Sequence, residues 1–231
     1  MKTNGDSENS RKKLVRDQLI NKAAELFATR GLSRTTFNEI GQELELSRSA
    51  LYHYFRNKDE ILEALIKDQT VVPTLSMKAL IADRSLTPTQ RLRRALEMSV
   101  ERKLTGGARF RVLDQIEFEM PETLAEQHRR SKRAVLELWT RIIADGIKAG
   151  EFRDVDVRMA AFAVIGMANW TAWWYSPDGK KNPEDIAKVI ADFGVRGLLT
   201  GSGGNATARS LQAVRRDLKS ALSALDQLPL D

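Results

Sequence analysis

Five polar side chains lie at close spacing between residues 48 and 58, and their types suit contact with a nucleic acid. Arg48 can donate two hydrogen bonds to the O6 and N7 atoms of guanine, and Ser49 beside it can donate or accept one. Tyr52 and His53 follow about one helical turn later, and Lys58 lies just beyond them. Hydroxyl, imidazole and ammonium groups suit phosphate oxygens, especially near the positive end of a helix dipole. The pattern therefore predicts a surface that reads base edges with its first turn and holds the DNA backbone with the rest.

Two short helices are predicted to position these side chains. Apolar residues recur at intervals of three and four in two successive runs, which are Phe37, Ile40 and Leu44, then Leu46, Leu51, Tyr54 and Phe55. Thr36 with Glu39 forms a capping-box pattern before the first run, and Ser47 is a suitable N-cap for the second. Asn57 with Glu60 predicts that a third helix starts directly behind. Such a pair can be a helix-turn-helix, whose second helix enters the major groove, or an αα-hairpin whose charges are merely solvated.

Residues 16–68 resemble the DNA-binding domain of TetR-family repressors. The matching segments are AAELFATRG at 23–31, TTFNEIG at 35–41 and LSRSALYHYFRNKDEIL at 46–62. The resemblance implies an all-α, dimeric, ligand-responsive transcription regulator in which the first turn of the second helix touches bases and later positions touch phosphates. Carried over to this sequence, the DNA-binding set is Thr36, Asn38, Arg48, Ser49, Ala50, Tyr52, His53 and Lys58.

Gly41 departs from the family pattern, in which alanine is usual at this position. Glycine costs about 1 kcal/mol of helix propensity relative to alanine. The departure predicts a locally weaker helix and leaves the DNA-binding prediction unchanged.

Composition supports an anionic partner and argues against several classes of site. The 231 residues carry a formal net charge of +6, with 42% hydrophobic and 29% charged residues. There is no cysteine, so no disulfide, thiolate metal site or cysteine nucleophile is possible. The first residues, MKTNGDSENSRKK, lack the apolar segment of a secretory signal, and no apolar run approaches the roughly 20 residues of a membrane span. We therefore expect a cytoplasmic protein with no membrane partner.

Helical periodicity and capping signals predict an all-α fold that combines a three-helix helix-turn-helix domain with a helical bundle for ligand binding and dimerisation. The first helix is predicted over 14–30 with Gly31 as its C-cap, and the helix after Asn57 is predicted to reach about Pro73, with residues 74–86 as either its continuation or a loop. The predicted parts are a disordered basic arm at 1–15, the DNA-binding domain at 16–62, the effector and dimerisation domain at 63–200, and a linker with a final helix at 201–231. The basic run RKKLVR at 11–16 is either solvated or adds phosphate or minor-groove contacts.

Two late helices, at about 155–175 and 183–200, are predicted to form the homodimer interface. In the family, two C-terminal helices from each protomer make a four-helix interface, and a twofold pair places two recognition helices about 34 Å apart. The alternative is that the small or aliphatic faces of these two helices pack in the core of a single chain. The residues on these faces are Ala160, Ala161, Val164, Ala168, Ile186, Val189, Ile190, Phe193 and Leu198.

An aromatic cluster, NWTAWWYSPDG at 169–179, predicts the wall of an effector pocket. Trp170, Trp173 and Trp174 occupy two faces of a helix and cannot all fill one core layer. Ordinary packing remains the alternative for at least one of them, Trp174 in the first place. Ligand sites combine apolar walls with a few polar anchors. The predicted effector-binding residues are Arg109, Phe110, Asp114, His128, Trp139, Phe162, Asn169, Trp170 and Trp173.

The segment from GEFR at 150–153 to the end of this cluster also resembles TetR regulators of lipid and steroid catabolism whose effectors are acyl-CoA thioesters. Such an effector needs apolar volume for its acyl part and basic residues for its phosphates. Candidate phosphate ligands are Arg109, Arg111, Arg130 and Arg133, although arginines on a helix face are often simply solvated.

The sequence contains no recognisable set of catalytic residues. The two histidines lie apart, His53 in the predicted recognition helix and His128 in the charged pattern AEQHRRSKR. No phosphate-binding glycine loop, nucleophile elbow or HExxH sequence is present, and no cofactor or metal site is predicted. The sequence therefore predicts a transcription regulator, most simply a repressor released by an apolar or acyl-type ligand. The alternative is an effector-independent DNA-binding protein of chromosome organisation or cell division.

Overall fold

The computed structural model describes residues 4–200 and the single position Arg216, and within these residues the fold is helical throughout. The elements are α1 Asn4–Arg30, α2 Phe37–Gln42, α3 Arg48–Tyr54, α4 Lys58–Ala82, α5 Pro88–Gly106, α6 Ala108–Gln115, a 3-10 turn Glu117–Glu119, α7 Glu122–Lys148, α8 Val157–Trp174 and α9 Pro183–Leu198. Extended pairing in this part of the chain is limited to one bridge between Phe152 and Leu199. None of the described helices is long and apolar enough to cross a membrane.

Local capping explains where most helices start. The Thr36–Glu39 capping box precedes α2, Ser47 caps α3, and Asn57 caps α4. Thr87 with Pro88 and Asn182 with Pro183 start α5 and α9 as the sequence predicts. In each case a side-chain oxygen accepts a hydrogen bond from an amide that the helix leaves unpaired.

One helix boundary differs from the prediction, and a second decides an alternative that the sequence leaves open. Helix α1 begins at Asn4 rather than at residue 14, so the segment predicted as a disordered arm is helical from Asn4 onward. Basic residues are compatible with helix, because lysine and arginine are good helix formers. Helix α4 continues through Pro73 to Ala82, so most of the segment 74–86 is the helical continuation and not the loop. The predicted linker and final helix at 201–231 lie outside the described residues, apart from Arg216.

Two hydrophobic cores organise the described helices. The first joins α1, α2, α3 and the start of α4, and contains Phe27, Ile40, Leu51 and Phe55, with Phe37 packed at its edge, as the sequence predicts. Helix α6 and the start of α7 also belong to this core, through Val112, Leu113, Ile116, Met120 and Ala125. The second core joins α5, α7, α8 and α9 with the far half of α4. Helix α4 therefore contributes to both cores.

Candidate functional site

Helix α3 presents its polar side chains to solvent. Leu51 is buried against the first core, while Arg48, Ser49, Tyr52 and His53 are exposed. Thr36 and Asn38 of the preceding segment are exposed as well, and Ala50 is half-buried. The predicted base-contacting and phosphate-contacting positions thus lie on or beside one short helix whose opposite face is fixed in the core.

Aromatic contacts orient the first turn of α3. The Tyr52 ring packs edge-on against Phe37 of α2, with 5.1 Å between ring centroids. The Arg48 guanidinium lies 5.7 Å from the Tyr52 ring centroid, within the range of a cation–π contact. Arg48 is therefore held over an aromatic surface and projects from the end of the helix that meets base edges in this motif.

The turn between α2 and α3 requires a close approach at Gly41. A side-chain carbon at Gly41 would lie 2.8 Å from the Leu51 Cδ2 atom, which is closer than carbon atoms pack. Glu45 in this turn adopts a positive φ of 54°, and the Leu46 amide donates to the Gly41 carbonyl. The glycine that departs from the family pattern thus lets Leu51 pack directly on the α2 backbone.

Lys58 has partners within the protein. Its ammonium donates to the carbonyl oxygens of Leu32 at 2.6 Å and Thr35 at 3.0 Å. This arrangement ties the start of α4 to the loop between α1 and α2. An ammonium has three donors, so one proton remains for a phosphate oxygen.

The basic run on α1 approaches the same region. The Arg16 guanidinium lies 4.8 Å from the ring centroid of Phe55, the residue that ends α3. Arg11, Lys12 and Lys13 are exposed on the preceding turns of α1. Positive charge therefore continues along α1 from the end of the recognition helix, where it can meet phosphates.

A cavity of about 1010 Å³ lies among α4, α5, α6, α7 and α8. Six of the nine predicted effector residues line it, namely Phe110, Asp114, His128, Trp139, Phe162 and Asn169. Methionines, aliphatic side chains and aromatic rings supply much of the remaining wall, including Met77, Met98, Leu113, Val135, Leu136 and Ile165. This volume and lining suit a sizeable, largely apolar ligand.

The predicted tryptophan wall is wrong for Trp170 and Trp173. Both side chains are more than half exposed on the outer face of α8, and neither lines the cavity. Trp170 follows Asn169 by one residue and therefore points to another side of α8, whereas Trp173 lies one turn beyond Asn169 on the same side, past the last cavity residue of the helix. Trp173 instead receives the Arg111 guanidinium at 5.9 Å from its ring centroid.

Arg109 also lies away from the cavity. Its guanidinium donates to Asn21 and, at 2.6 Å, to the Asp17 carbonyl of α1, and it lies 3.3 Å from Asp68 of α4. Arg109 therefore clamps α6 to α1 and α4. The prediction that it anchors an effector is wrong in this geometry, and its role is to connect helices.

Lys103 on α5 is a cavity residue that sequence reasoning missed. Its amine donates to the Ser99 hydroxyl at 2.6 Å and lies 5.0 Å from the Phe110 ring centroid. Burial, with the neighbouring Arg102 as a second cause, lowers the pKa of Lys103 to about 7. The sequence ERK at 101–103 is typical of a solvated helix face, so only the packing of α5 against the cavity distinguishes this lysine.

A cluster of charged residues closes the cavity wall between α6 and α7. Asp114, His128 and Lys132 line the cavity, and Glu117 lies behind them. The Lys132 ammonium lies 2.5 Å from Glu117 and 3.4 Å from Asp114. Proximity of His128, and then of Lys132, lowers the pKa of Asp114 below its ordinary value. Asp114 therefore carries a full negative charge at neutral pH.

Two residues beyond Glu117, Glu119 contacts the DNA-reading part of the molecule. Its carboxylate accepts a hydrogen bond of 2.8 Å from the Ser33 amide, and this bond lowers the pKa of Glu119. Ser33 belongs to the loop whose carbonyls bind Lys58. The short segment 117–119 thus joins the cavity wall to the loop that precedes the helix-turn-helix.

Six of the nine small or aliphatic residues predicted for the dimer face are buried within the chain. Ala160, Ala161, Val164, Ala168, Ile186 and Leu198 belong to the second core. Val189 and Phe193 of the same predicted set are exposed, together with five apolar residues of α8: Met159, Phe162, Trp170, Trp173 and Trp174. These seven residues are called the outer α8–α9 face below.

Comparison with known proteins gives consistent matches. The model "Bacterial regulatory proteins, tetR family" matches residues 19–65, and "Tetracyclin repressor-like, C-terminal domain" matches residues 85–198. The chain is similar to the HTH-type transcriptional repressor KstR2 of Mycolicibacterium smegmatis, with 26% identity over 198 residues that cover 81% of this chain and 92% of that protein.

Two solved structures share the fold. The ketosteroid transcriptional regulator KstR2 of Mycobacterium tuberculosis has a TM-score of 0.71 at 22% identity, covering 80% of this chain and 95% of that one. AibR in complex with isovaleryl coenzyme A and operator DNA has a TM-score of 0.60 at 22% identity, covering 77% and 96%.

Proposed function

Because this chain belongs to the TetR family of bacterial regulatory proteins, we propose that it is a homodimeric repressor that leaves its DNA operator when an apolar or acyl-CoA-type effector fills the cavity. The observation that carries the proposal is the connection, along α4, between an exposed recognition helix and a large cavity. Helix α4 starts at Lys58 beside α3, and its residues Gln69, Thr70 and Pro73 form part of the cavity wall.

Pro73 gives α4 a weak point at the cavity. Proline lacks an amide hydrogen, so the Gln69 carbonyl has no helical donor from this position. The Thr70 and Thr74 hydroxyls nearby bond to the carbonyls of Ile66 and Thr70, each at 2.6 Å, and these bonds do not replace the missing donor. An effector that packs against Gln69 and Pro73 can change the course of α4 and so displace its Lys58 end. Release requires that the effector bind the DNA-free geometry more tightly than the DNA-bound one.

The lining of the cavity indicates the chemistry of the effector. Apolar side chains form most of the wall, and the cationic groups of Arg102, Lys103, Lys132, Arg133 and Arg158 lie around it. An apolar body with an anionic group fits this distribution. The structure of AibR contains isovaleryl coenzyme A, and a short or alicyclic acyl-CoA is the effector class that we propose for this chain.

The outer α8–α9 face supports a homodimer built on these two helices. Seven large apolar side chains are exposed on it within one chain, and monomeric proteins rarely leave such a patch uncovered. Phe162 belongs both to this face and to the cavity wall, so the interface that we propose lies directly beside the effector site.

DNA reading can be tested with an operator selected from random DNA by the purified protein. Replacing Arg48 with alanine should weaken binding to that operator by about 1–3 kcal/mol and relax selectivity at one base pair. Arg84, which is exposed in the loop after α4, provides a control substitution to alanine that should change nothing. Fluorescence anisotropy measures the affinity of both variants for operator DNA and for scrambled DNA. An equal loss on the two DNAs would make Arg48 a phosphate contact and remove its role in base reading.

Effector release can be tested with the same labelled operator. Acyl-CoAs of increasing acyl size, free coenzyme A and the free acids are added to the complex. We expect DNA release by at least one acyl-CoA and no release by free coenzyme A. Introducing a charge into the cavity wall with Leu136→Asp should abolish that release while DNA binding persists. Failure of every acyl-CoA would overturn the effector class and leave the DNA-binding result intact.

A further inference from the structure

His128 on α7 is a buried polar side chain for which residues 4–200 provide no hydrogen-bond partner. It is 4% exposed, and neither ring nitrogen bonds to another group within the described residues. Burying a polar group without a hydrogen-bond partner destabilises a protein. The same ring is nevertheless directed at two carboxylates, those of Asp114 at the end of α6 and Glu117 in the following turn.

The distances are too long for hydrogen bonds and suit a shared metal ion. The His128 Nε2 atom lies 3.6 Å from the Asp114 Oδ1 atom and 4.0 Å from the Glu117 Oε2 atom. A divalent transition metal binds nitrogen and oxygen ligands at about 2.0–2.2 Å, so two ligands of one ion lie up to about 4.4 Å apart. One ligand atom from each of the three residues lies within 4.8 Å of the others.

We propose that Asp114, Glu117 and His128 form a binding site for a divalent first-row transition-metal ion in the wall of the cavity. One imidazole and two carboxylates make a donor set that suits ions such as Zn²⁺ and Co²⁺. The ion would join α6, the 3-10 turn and α7 through one ligand from each element. It would also give His128 a bonding partner that the described residues do not supply.

The Lys132 ammonium occupies the position beside the two carboxylates that the metal ion would take. Its ammonium contacts both carboxylates, and its side chain is 46% exposed, so it can turn out into solvent. A metal ion must displace this ammonium, and Lys132 therefore competes with the metal. This competition provides a distinctive test, because removing the Lys132 side chain should increase the affinity for the metal ion.

The test uses the tag-free full-length protein, stripped with EDTA and titrated with Zn²⁺ against a chromophoric chelator, and with Co²⁺ followed by its visible absorption. We expect one ion per chain. His128→Leu and Glu117→Gln should each weaken binding at least about tenfold, and Lys132→Met should tighten it. His53→Leu removes the other histidine of the chain, which is exposed on α3, and should leave the metal affinity unchanged.

Circular dichroism of each variant separates loss of the site from loss of the fold, and Glu117→Gln keeps the side-chain shape if His128→Leu does not fold. Equal affinities of the wild type, His128→Leu and Glu117→Gln would overturn the proposal. So would a Lys132→Met variant that binds no more tightly than the wild type. Metal binding is measured without DNA or effector, so either result leaves the proposed function untouched.

Discussion

At the scale of single residues, Lys103 shows how a cavity changes the behaviour of an ordinary lysine. Its sequence neighbours, Glu101 and Arg102, suggest a solvated helix face. The fold instead places its amine at the cavity beside Phe110, where burial disfavours the ammonium and lowers the pKa to about 7. An anionic effector group near this amine would favour its protonated form. Binding of such an effector should therefore weaken as the pH rises above 7.

Lys103 also makes a prediction for stability. In the unfolded chain the lysine keeps its proton up to about pH 10.4, whereas in the folded protein it loses the proton near pH 7. The unfolded state therefore binds more protons between these values, so the wild type should gain stability as the pH rises from 7 to 10. Lys103→Met should be more stable than the wild type at pH 6, and its advantage should shrink by pH 10.

Urea unfolding at pH 6, 8 and 10 measures this difference. Lys78→Met, at an exposed position of α4, is the matched control. Its free energy of unfolding should change with pH as that of the wild type does. If the free energy of unfolding of Lys103→Met also changes with pH as that of the wild type does, Lys103 is ionised normally in the folded protein.

Gly41 shows a packing effect that opposes helix propensity. Alanine would gain about 1 kcal/mol of propensity in α2. Its Cβ atom would however lie 2.8 Å from the buried Leu51 Cδ2 atom. We expect Gly41→Ala to destabilise the protein by about 1–3 kcal/mol through overpacking.

Chemical denaturation of a double-mutant cycle tests the cause. In a Leu51→Ala background, the Gly41→Ala change should become neutral or stabilising, because the obstructing side chain is gone. An equal cost in both backgrounds would mean that Leu51 is not the reason for glycine at this position.

At the scale of elements, the turn Glu117–Glu119 connects the two functional regions. It follows α6, whose Asp114 lines the cavity, and its Glu119 holds the Ser33 amide. Arg109 adds a second connection from α6 to α1 and α4. A ligand that shifts α6 therefore has a short route to the loop before α2.

Removing the Glu119 carboxylate should loosen that loop. We expect Glu119→Ala to increase amide hydrogen exchange in residues 31–35 and to leave α9 unchanged, because the Ser33 amide loses its acceptor. Glu122→Ala is a close control, since Glu122 pairs only with exposed Arg129 among the contacts described. Exchange is read by mass spectrometry, and unaltered rates in 31–35 would show that the bond contributes nothing to loop order.

At the scale of the whole molecule, the outer α8–α9 face implies a second copy. Phe193 is 68% exposed on α9 and lies on this face. A charged residue there would be buried without a partner in a dimer, so we expect Phe193→Glu to convert a species of twice 26.0 kDa into one of 26.0 kDa. Operator affinity should fall with it, because two recognition helices then bind independently.

Phe118 offers a matched control. It is fully exposed in the turn after α6 and does not belong to the outer α8–α9 face. Phe118→Glu should leave the mass in light scattering unchanged. A wild type that is monomeric at micromolar concentration, or a Phe193→Glu variant that stays dimeric, would place the interface elsewhere.

Local signals were sufficient for the helix-turn-helix. The caps at Thr36, Ser47 and Asn57 and the apolar periodicity act within a few residues, so the sequence predicts α2, α3 and the start of α4. The same local signals predict the starts of α5 and α9. The end of α4 stayed open between a continued helix and a loop, because Pro73 removes a helical hydrogen bond and only packing of α4 on both cores decides the outcome.

The sequence by itself determined the helices, the charged first turn of α3 and the family to which they belong, because each rests on contacts close along the chain or on ordered segments. Only the tertiary structure decided which side chains face the cavity. Trp170 lies on another side of α8, Trp173 lies past the end of the cavity, and Lys103 lines it, because helix packing fixes where the cavity lies around and along each helix. It also brought His128 to Asp114 and Glu117 across two helices, a grouping that arises from packing and not from spacing along the chain.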